Sequence, residues 1–165
     1  MVQSLETLTE TPSQTAGPYV HIGCIPSFAG NPGIYPQDLG LRAIEDGAKG
    51  EVITITGEVI DGTGWALRDA MIESWQPDAA GKFPGQEGAD PAVNGFARFA
   101  ADKDSGEFTL RTVKPGAYPW RNWVNNWRPA HIHLSVFGTG FAQRLITQLY
   151  FEGDPLIPLC PIVKT

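Results

Sequence analysis

The feature that most constrains the fold of this chain is a pair of histidines, His131 and His133, in a stretch that alternates up to Phe137. On an extended strand successive side chains point to opposite faces, so the two imidazoles lie side by side on one face. Only three histidines occur among the 165 residues, so two of the three share this face. An ordinary core would fill such a face with apolar side chains.

Two interpretations of this pair follow from the residues alone. The first is a buried, hydrogen-bonded pair without a metal, because a His-x-His match is common by chance. The second is a metal site, since neutral imidazole is a frequent metal ligand and two ring nitrogens on one strand face can converge on one ion.

The rest of the chain predicts an all-β fold. Its 19 Gly and 14 Pro make up a fifth of the sequence, which favours short strands and long loops in one compact domain. Five segments have strand character: one beginning at Glu51, then 65–76, 107–113, 131–137 and 144–151. We predict an antiparallel β-sandwich formed by residues 51–165, with little helix, preceded by an extended arm and loops over residues 1–50.

Turn formers divide these strands. Asp61–Gly64 predicts a turn that joins the first two strands in a hairpin, and residues 77–101 are predicted to be a long loop with brief extended pieces. One helical turn is expected near Leu41–Asp46. Three tryptophans, Trp120, Trp123 and Trp127, fall in one connection, where they either close the end of the sandwich or wall an aromatic pocket.

Charge and hydropathy narrow the function classes. A formal net charge of −6 without basic clusters argues against a nucleic-acid partner. The sequence has no apolar run long enough for a transmembrane helix and no signal peptide, so a soluble, cytoplasmic protein is expected, with Cys24 and Cys160 as free thiols.

Six motifs together resemble the intradiol ring-cleaving dioxygenases over nearly the whole chain. The most specific are the linked Tyr-Pro-Trp and Arg-Pro-Ala-His-Ile-His motifs. The six are Gly57–Gly62, Glu73–Gln76, Thr112–Gly116, Tyr118–Asn122, Arg128–His133 and Gln148–Phe151.

The resemblance implies a β-sandwich with a mononuclear ferric ion, Fe(III), held by two tyrosines and two histidines. Tyr118 matches one tyrosine, and His131 and His133 match the histidines. The axial tyrosine is expected in a Gly-Arg-Tyr-like segment after Trp-Gln, where this chain has Ala80–Phe83. Phe83 has no phenol oxygen, so the resemblance leaves the chain one ligand short.

Further site residues are implied by the same resemblance. Arg128 matches an arginine that stabilises carbanion character in the bound substrate, and Gln148 matches a glutamine beside the metal ligands. Trp120 and Ile162 match residues that line the substrate pocket. From the residues alone, Arg128 could equally pair with an acid, and Ile162 could be ordinary packing.

The amino terminus bears on the subunit type. On composition alone a flexible amino-terminal arm is favoured. The segment Thr11–Gly23, however, resembles the α-subunit arm of heteromeric family members, and that arm reaches into a neighbouring β chain. The arm residues that would border the partner's site are Thr15, Gly17, Pro18 and Tyr19. The carboxyl half from Tyr118 to Thr165 instead resembles a β subunit.

Two departures from the family pattern accompany this assignment. Where α chains carry an arginine that points at the partner's substrate, this chain has Thr139, which supplies no cation. The resemblance also implies a further strand beyond Thr165, so the sandwich is expected to be short at that end.

We therefore predict an α-type subunit that joins a homologous β subunit to cleave a carboxylated catechol with dioxygen. The iron would lie in the partner's site, and whether this chain also holds iron is left open. A self-sufficient intradiol dioxygenase with a fourth, unassigned ligand and a metal-free β-sandwich assembly module are the alternatives.

Overall fold

A computed structural model describes residues 14–120, 127–160 and 162–163. In that part of the chain, eight strands and one short helix occur, together with a 3₁₀ turn at Ile157–Leu159. The elements are α1 (Pro18–Cys24), β1 (Val52–Glu58), β2 (Met71–Trp75), β3 (Phe96–Ala100), β4 (Glu107–Val113), β5 (Tyr118–Pro119), β6 (Trp127–Arg128), β7 (His131–Phe137) and β8 (Leu145–Tyr150). Every strand pairing is antiparallel, which confirms the predicted all-β, antiparallel class.

The strands form two layers around one core. A four-stranded sheet has the order β3-β2-β7-β8, and β1 pairs with β4 in a separate two-stranded sheet. Ile72 and Ile132 from the larger sheet are fully buried in one cluster with Leu110 and Val113 of β4. The apolar residues of β7 thus face the core, as the alternation predicts, and its histidines face the other way.

A buried amide joins the two sheets at one end of the sandwich. Gln76, which follows β2 and is fully buried, donates from Nε2 to the carbonyl of Val113 at 2.9 Å. Its Oε1 accepts a hydrogen bond from the hydroxyl of Thr112, also at 2.9 Å. Because a buried amide without partners would be costly, these bonds fix the register between the end of β2 and the end of β4.

The predicted hairpin between the first two strands is wrong. The Asp61–Gly64 turn forms, with Asp61 accepting from the backbone of Thr63 and Trp65, but only the single bridge Ile60–Ala66 follows it. The half-buried strand β1 pairs with β4, whereas the deeply buried β2 pairs with β3 and β7. The chain therefore crosses from one layer to the other after this turn.

Two other local predictions also differ from the structure. Residues 18–24 form helix α1 where an extended arm was expected, because proline is pre-organised for the first helical position. No helical turn forms near Leu41–Asp46, where Ile44 makes a bridge with Val93. The brief extended pieces predicted within the loop over residues 77–101 include β3. Among the described residues, no helix has the length and apolar character needed to cross a membrane.

Two glycines let the loop after β2 lie directly on the segment before β5. Gly81 has a φ of +76°, and a Cβ added to it would collide with the carbonyl oxygen of Ala117. A Cβ on Gly116 would lie 2.5 Å from the carbonyl oxygen of Ala79. Asp78, which is 3% exposed, organises the same loop by accepting the backbone N–H groups of Ala80, Lys82 and Asp90.

We expect Gly81→Ala to destabilise the fold far more than Gly85→Ala. Gly85 has a φ of +85° but open space around it, so its substitution costs only the backbone strain of about 1 kcal/mol. At Gly81 the collision adds roughly 1–3 kcal/mol. Chemical denaturation of both variants measures the difference, and equal losses would show that the close approach is absent.

Candidate metal centre

The sheet register assembles four polar side chains on one face of β7 and β8. His131 lies directly opposite Tyr150, and His133 lies directly opposite Gln148. Residues paired across an antiparallel ladder point to the same face, so the two imidazoles, the amide and the phenol form one group. This face is the one turned away from the apolar core cluster.

A second, much shorter strand pairing positions the two other side chains of the site, Tyr118 and Arg128. Strands β5 and β6 pair so that Tyr118 lies opposite Arg128. Arg128 is only 5% exposed. Only Pro129 and Ala130 lie between the end of β6 and the start of β7. The chain order Arg-Pro-Ala-His therefore fixes the guanidinium beside the first histidine.

Three potential metal donors converge at one point. The Oη of Tyr118 lies 3.0 Å from Nε2 of His131. The Nε2 atoms of His131 and His133 are 3.1 Å apart. Adjacent ligands of one metal ion with bonds of about 2.1 Å lie roughly 3 Å apart, so these separations match a common ion.

The protonation state of His131 suits a metal ligand. Its Nδ1 lies 2.7 Å from the carbonyl oxygen of Pro129, which can only accept, so Nδ1 carries the proton and donates. Burial lowers the pKa of His131 to about 4, with the Pro129 hydrogen bond opposing that shift and Arg128 and His133 adding to it. At neutral pH the ring is neutral and its Nε2 lone pair faces the cluster.

Burial also shifts the pKa values of the other two donors, His133 and Tyr118. Burial, reinforced by Arg128, lowers the pKa of His133. Burial raises the pKa of Tyr118, against the opposing effect of Arg128. Without a cation Tyr118 therefore keeps its proton, and a cation at the cluster would stabilise the phenolate. In the described residues no three His, Cys, Asp or Glu side chains form a group that could hold a metal, so a metal at the histidine pair would need another kind of third donor, which this phenol offers.

These donors fit a ferric ion. Two neutral imidazoles and one phenolate supply nitrogen ligands and a hard, anionic oxygen. Phe83, which the family resemblance matches to the second tyrosine, has its ring edge-on to Tyr118 at 5.1 Å between centroids and stacked on Trp75 at 5.7 Å. The loop thus presents an aromatic ring beside the cluster without an oxygen.

Arg128 connects the cluster to β8. Its Nη2 lies 3.3 Å from Nε2 of His131 and donates to Oε1 of Gln148 at 2.5 Å and to the hydroxyl of Tyr150 at 2.9 Å. Its Nε is buried without a hydrogen-bond partner in the described part of the chain. No acid is paired with it there, so the simple ion-pair alternative for Arg128 is not what the structure contains.

The two predicted pocket residues, Trp120 and Ile162, line two separate cavities. Trp120 borders a cavity of about 620 Å³ together with Tyr118, Phe83 and Trp127, and its ring lies 5.8 Å from the guanidinium carbon of Arg128. Ile162 lines a separate hollow beside Gln148 and Tyr150.

The four arm residues are not brought to this cluster. The Oγ1 of Thr15 accepts from the backbone N–H of Gly140 at 2.7 Å, in the turn that follows β7. That end of β7 lies about 20 Å along the strand from His131. Gly17 caps helix α1, Pro18 begins it, and Tyr19 is 85% exposed.

Sequence reasoning missed Tyr150 as a member of the site. Its hydroxyl bonds both Arg128 and Gln148, and its ring centroid lies 5.4 Å from that of His131. The signal was present, because Tyr150 follows Gln148 by two residues on one strand and so shares its face. Burial raises the pKa of Tyr150, and the hydrogen bond from Arg128 opposes that shift.

Known proteins resemble this chain in sequence. A family model described as dioxygenase matches residues 25–165. The protocatechuate 3,4-dioxygenase alpha chain of Pseudomonas putida is 42% identical over 161 residues, covering 97% of this chain and 79% of the relative. The beta chain from Burkholderia cepacia is 44% identical over 134 residues, covering 78% of this chain and 57% of the relative.

A solved structure resembles it in fold. The 3-chlorocatechol 1,2-dioxygenase of Rhodococcus opacus 1CP aligns with a TM-score of 0.62 and 29% identity, over 78% of this chain and 56% of that one. The resemblance predicted from the sequence motifs is thereby confirmed. The chain belongs to the intradiol ring-cleaving dioxygenases, a family of oxidoreductases.

Proposed function

We propose that this chain is an α-type subunit of a protocatechuate 3,4-dioxygenase. In this proposal it assembles with a homologous β subunit, and the complex cleaves protocatechuate with dioxygen between its two hydroxylated carbons to give 3-carboxy-cis,cis-muconate. The chain also carries a degenerate ferric site of its own, formed by Tyr118, His131 and His133.

The convergence of the three donor atoms is the observation on which the iron chemistry rests. Tyr118 Oη and His133 Nε2 both lie within 3.1 Å of His131 Nε2, whose lone pair is held unprotonated by the Pro129 hydrogen bond. Tyr118, His131 and His133 would hold the ferric ion, which would supply the Lewis-acid and redox chemistry of ring opening.

The protein's own contribution in this site is electrostatic. The buried guanidinium of Arg128 places a fixed positive charge beside His131, where it would stabilise negative charge on a deprotonated substrate. Gln148 and Tyr150 accept hydrogen bonds from this guanidinium, so their role is to position Arg128. Trp120 and Trp127 supply aromatic walls to the adjoining cavity.

Two observations support the α assignment. The alpha-chain relative aligns with 97% of this chain. In addition, the arm is fastened by Thr15 to the turn at Gly140, at the opposite end of β7 from this chain's own cluster, and Tyr19 is 85% exposed. An arm in that position is free to border the site of a neighbouring subunit, which is the role that the resemblance implies.

A self-sufficient intradiol dioxygenase is the second candidate. It is favoured by the completeness of the rest of the site, because Tyr118, both histidines, Arg128 and Gln148 all assemble within this chain. It requires a fourth ligand in place of the missing second tyrosine.

Turnover of the chain alone and with a β chain separates the two candidates. We expect the isolated chain to bind iron weakly and to turn over protocatechuate slowly, and the co-expressed complex to be fully active. Oxygen uptake and iron content per chain are the measurements. Full turnover by the isolated chain would contradict the subunit assignment and favour self-sufficiency.

Restoring a phenol at position 83 should strengthen the chain's own site. The ring of Phe83 meets that of Tyr118 edge-on, so Phe83→Tyr places a second phenol oxygen beside the cluster. We expect tighter iron binding and a stronger visible absorption band from phenolate coordination, measured by iron titration of the isolated chain. Phe28→Tyr, on an exposed ring near His21, is the control. An unchanged affinity and spectrum for Phe83→Tyr would show that position 83 does not face the metal.

A further inference from the structure

The cavity beside Tyr118 has a size and lining suited to a small aromatic ligand. Its volume of about 620 Å³ lies within the range of roughly 300–1,000 Å³ of small-molecule sites. Four aromatic residues contribute to its walls: Phe83, Tyr118, Trp120 and Trp127. Such walls hold a planar ring but do not distinguish one ring substituent from another.

One charged side chain stands out in this lining. Among the described residues that border the cavity, Lys82 alone carries a charge. No carboxylate lies within 4.0 Å of its ammonium group in the described part of the chain. In a protein of net charge −6, an unpaired cation at an aromatic cavity is a specific feature.

The position of Lys82 is fixed by its surroundings. Its backbone N–H donates to Oδ1 of Asp78 at 2.9 Å, and its carbonyl accepts from the N–H of Asp78 at 2.8 Å. The Nζ donates to the carbonyl of Glu87 at 2.8 Å, and an added Cβ on Gly88 would lie 2.6 Å from Nζ. An ammonium group has three donors, so two remain for a ligand.

We propose that Lys82 selects for an anionic ring substituent, a carboxylate above all, on aromatic ligands in this cavity. The inference rests on the proposed function for the identity of the ring as a catechol and adds the residue that recognises its carboxylate. Tyr118 and Lys82 both border the same cavity, so one ligand there can contact both residues.

Binding, not turnover, tests this inference. The fluorescence of Trp120 and Trp127, which line the cavity, reports titration of the folded full chain with 3,4-dihydroxybenzoate and with catechol. We expect the carboxylated compound to bind more tightly, and Lys82→Met to weaken its binding about tenfold while leaving catechol binding unchanged. Lys82→Arg should retain most of the preference, and added salt should reduce it.

A matched charge removal provides the control. Lys103, in the turn before β4, lies over the ring of Phe28 and borders a different cavity, so Lys103→Met makes the same change in net charge elsewhere. Equal weakening by the two Met variants, an unchanged preference in Lys82→Met, or failure of the folded chain to bind 3,4-dihydroxybenzoate would each overturn the inference. Failure of the proposed function would appear separately, as absent turnover by the complex with a β chain.

Discussion

The alternation of β7 is the constraint on which the rest of the structure depends. Ile132 is fully buried in the core between the sheets, so the side chains on either side of it, His131 and His133, must point to the opposite face. A slip of one residue would send the imidazoles into the core and the apolar side chains out of it. Burial of the apolar face of β7 thus fixes the face on which the two imidazoles lie.

Local hydrogen bonds then set the chemistry of that face. The Pro129 carbonyl accepts a hydrogen bond from Nδ1–H of His131, which leaves Nε2 unprotonated as an acceptor. Tyr118, His133 and Arg128 all point toward this Nε2. The guanidinium is unusual in having no acid partner among the described residues, and neutral acceptors on β8 hold it instead. Its full charge therefore remains available to the site, where a neighbouring carboxylate would have cancelled it.

The sequence predicted the bounds of individual strands better than it predicted the strand pairing. The bounds of β7 and β4 and the shared face of the two histidines were correct, because strict alternation over seven residues is a local property. The hairpin between β1 and β2 was wrong, because pairing partners are decided by which faces are buried across the sandwich. The spacing of Tyr150 from Gln148 places both on one face of β8, but the contacts of Tyr150 with Arg128 and His131 depend on the register of β8 against β7, which the sequence of either strand alone does not contain.

The central claim is that Tyr118, His131 and His133 hold one ferric ion, and the iron affinity of the isolated chain tests it most directly. His131→Ala should weaken iron binding at least tenfold, whereas His21→Ala should leave it unchanged, because His21 packs near Phe28 outside the cluster. Isothermal titration of both variants against the unaltered chain measures the effect. Equal iron affinity in the His131→Ala variant and the unaltered chain would contradict the account and leave a metal-free sandwich as the better description.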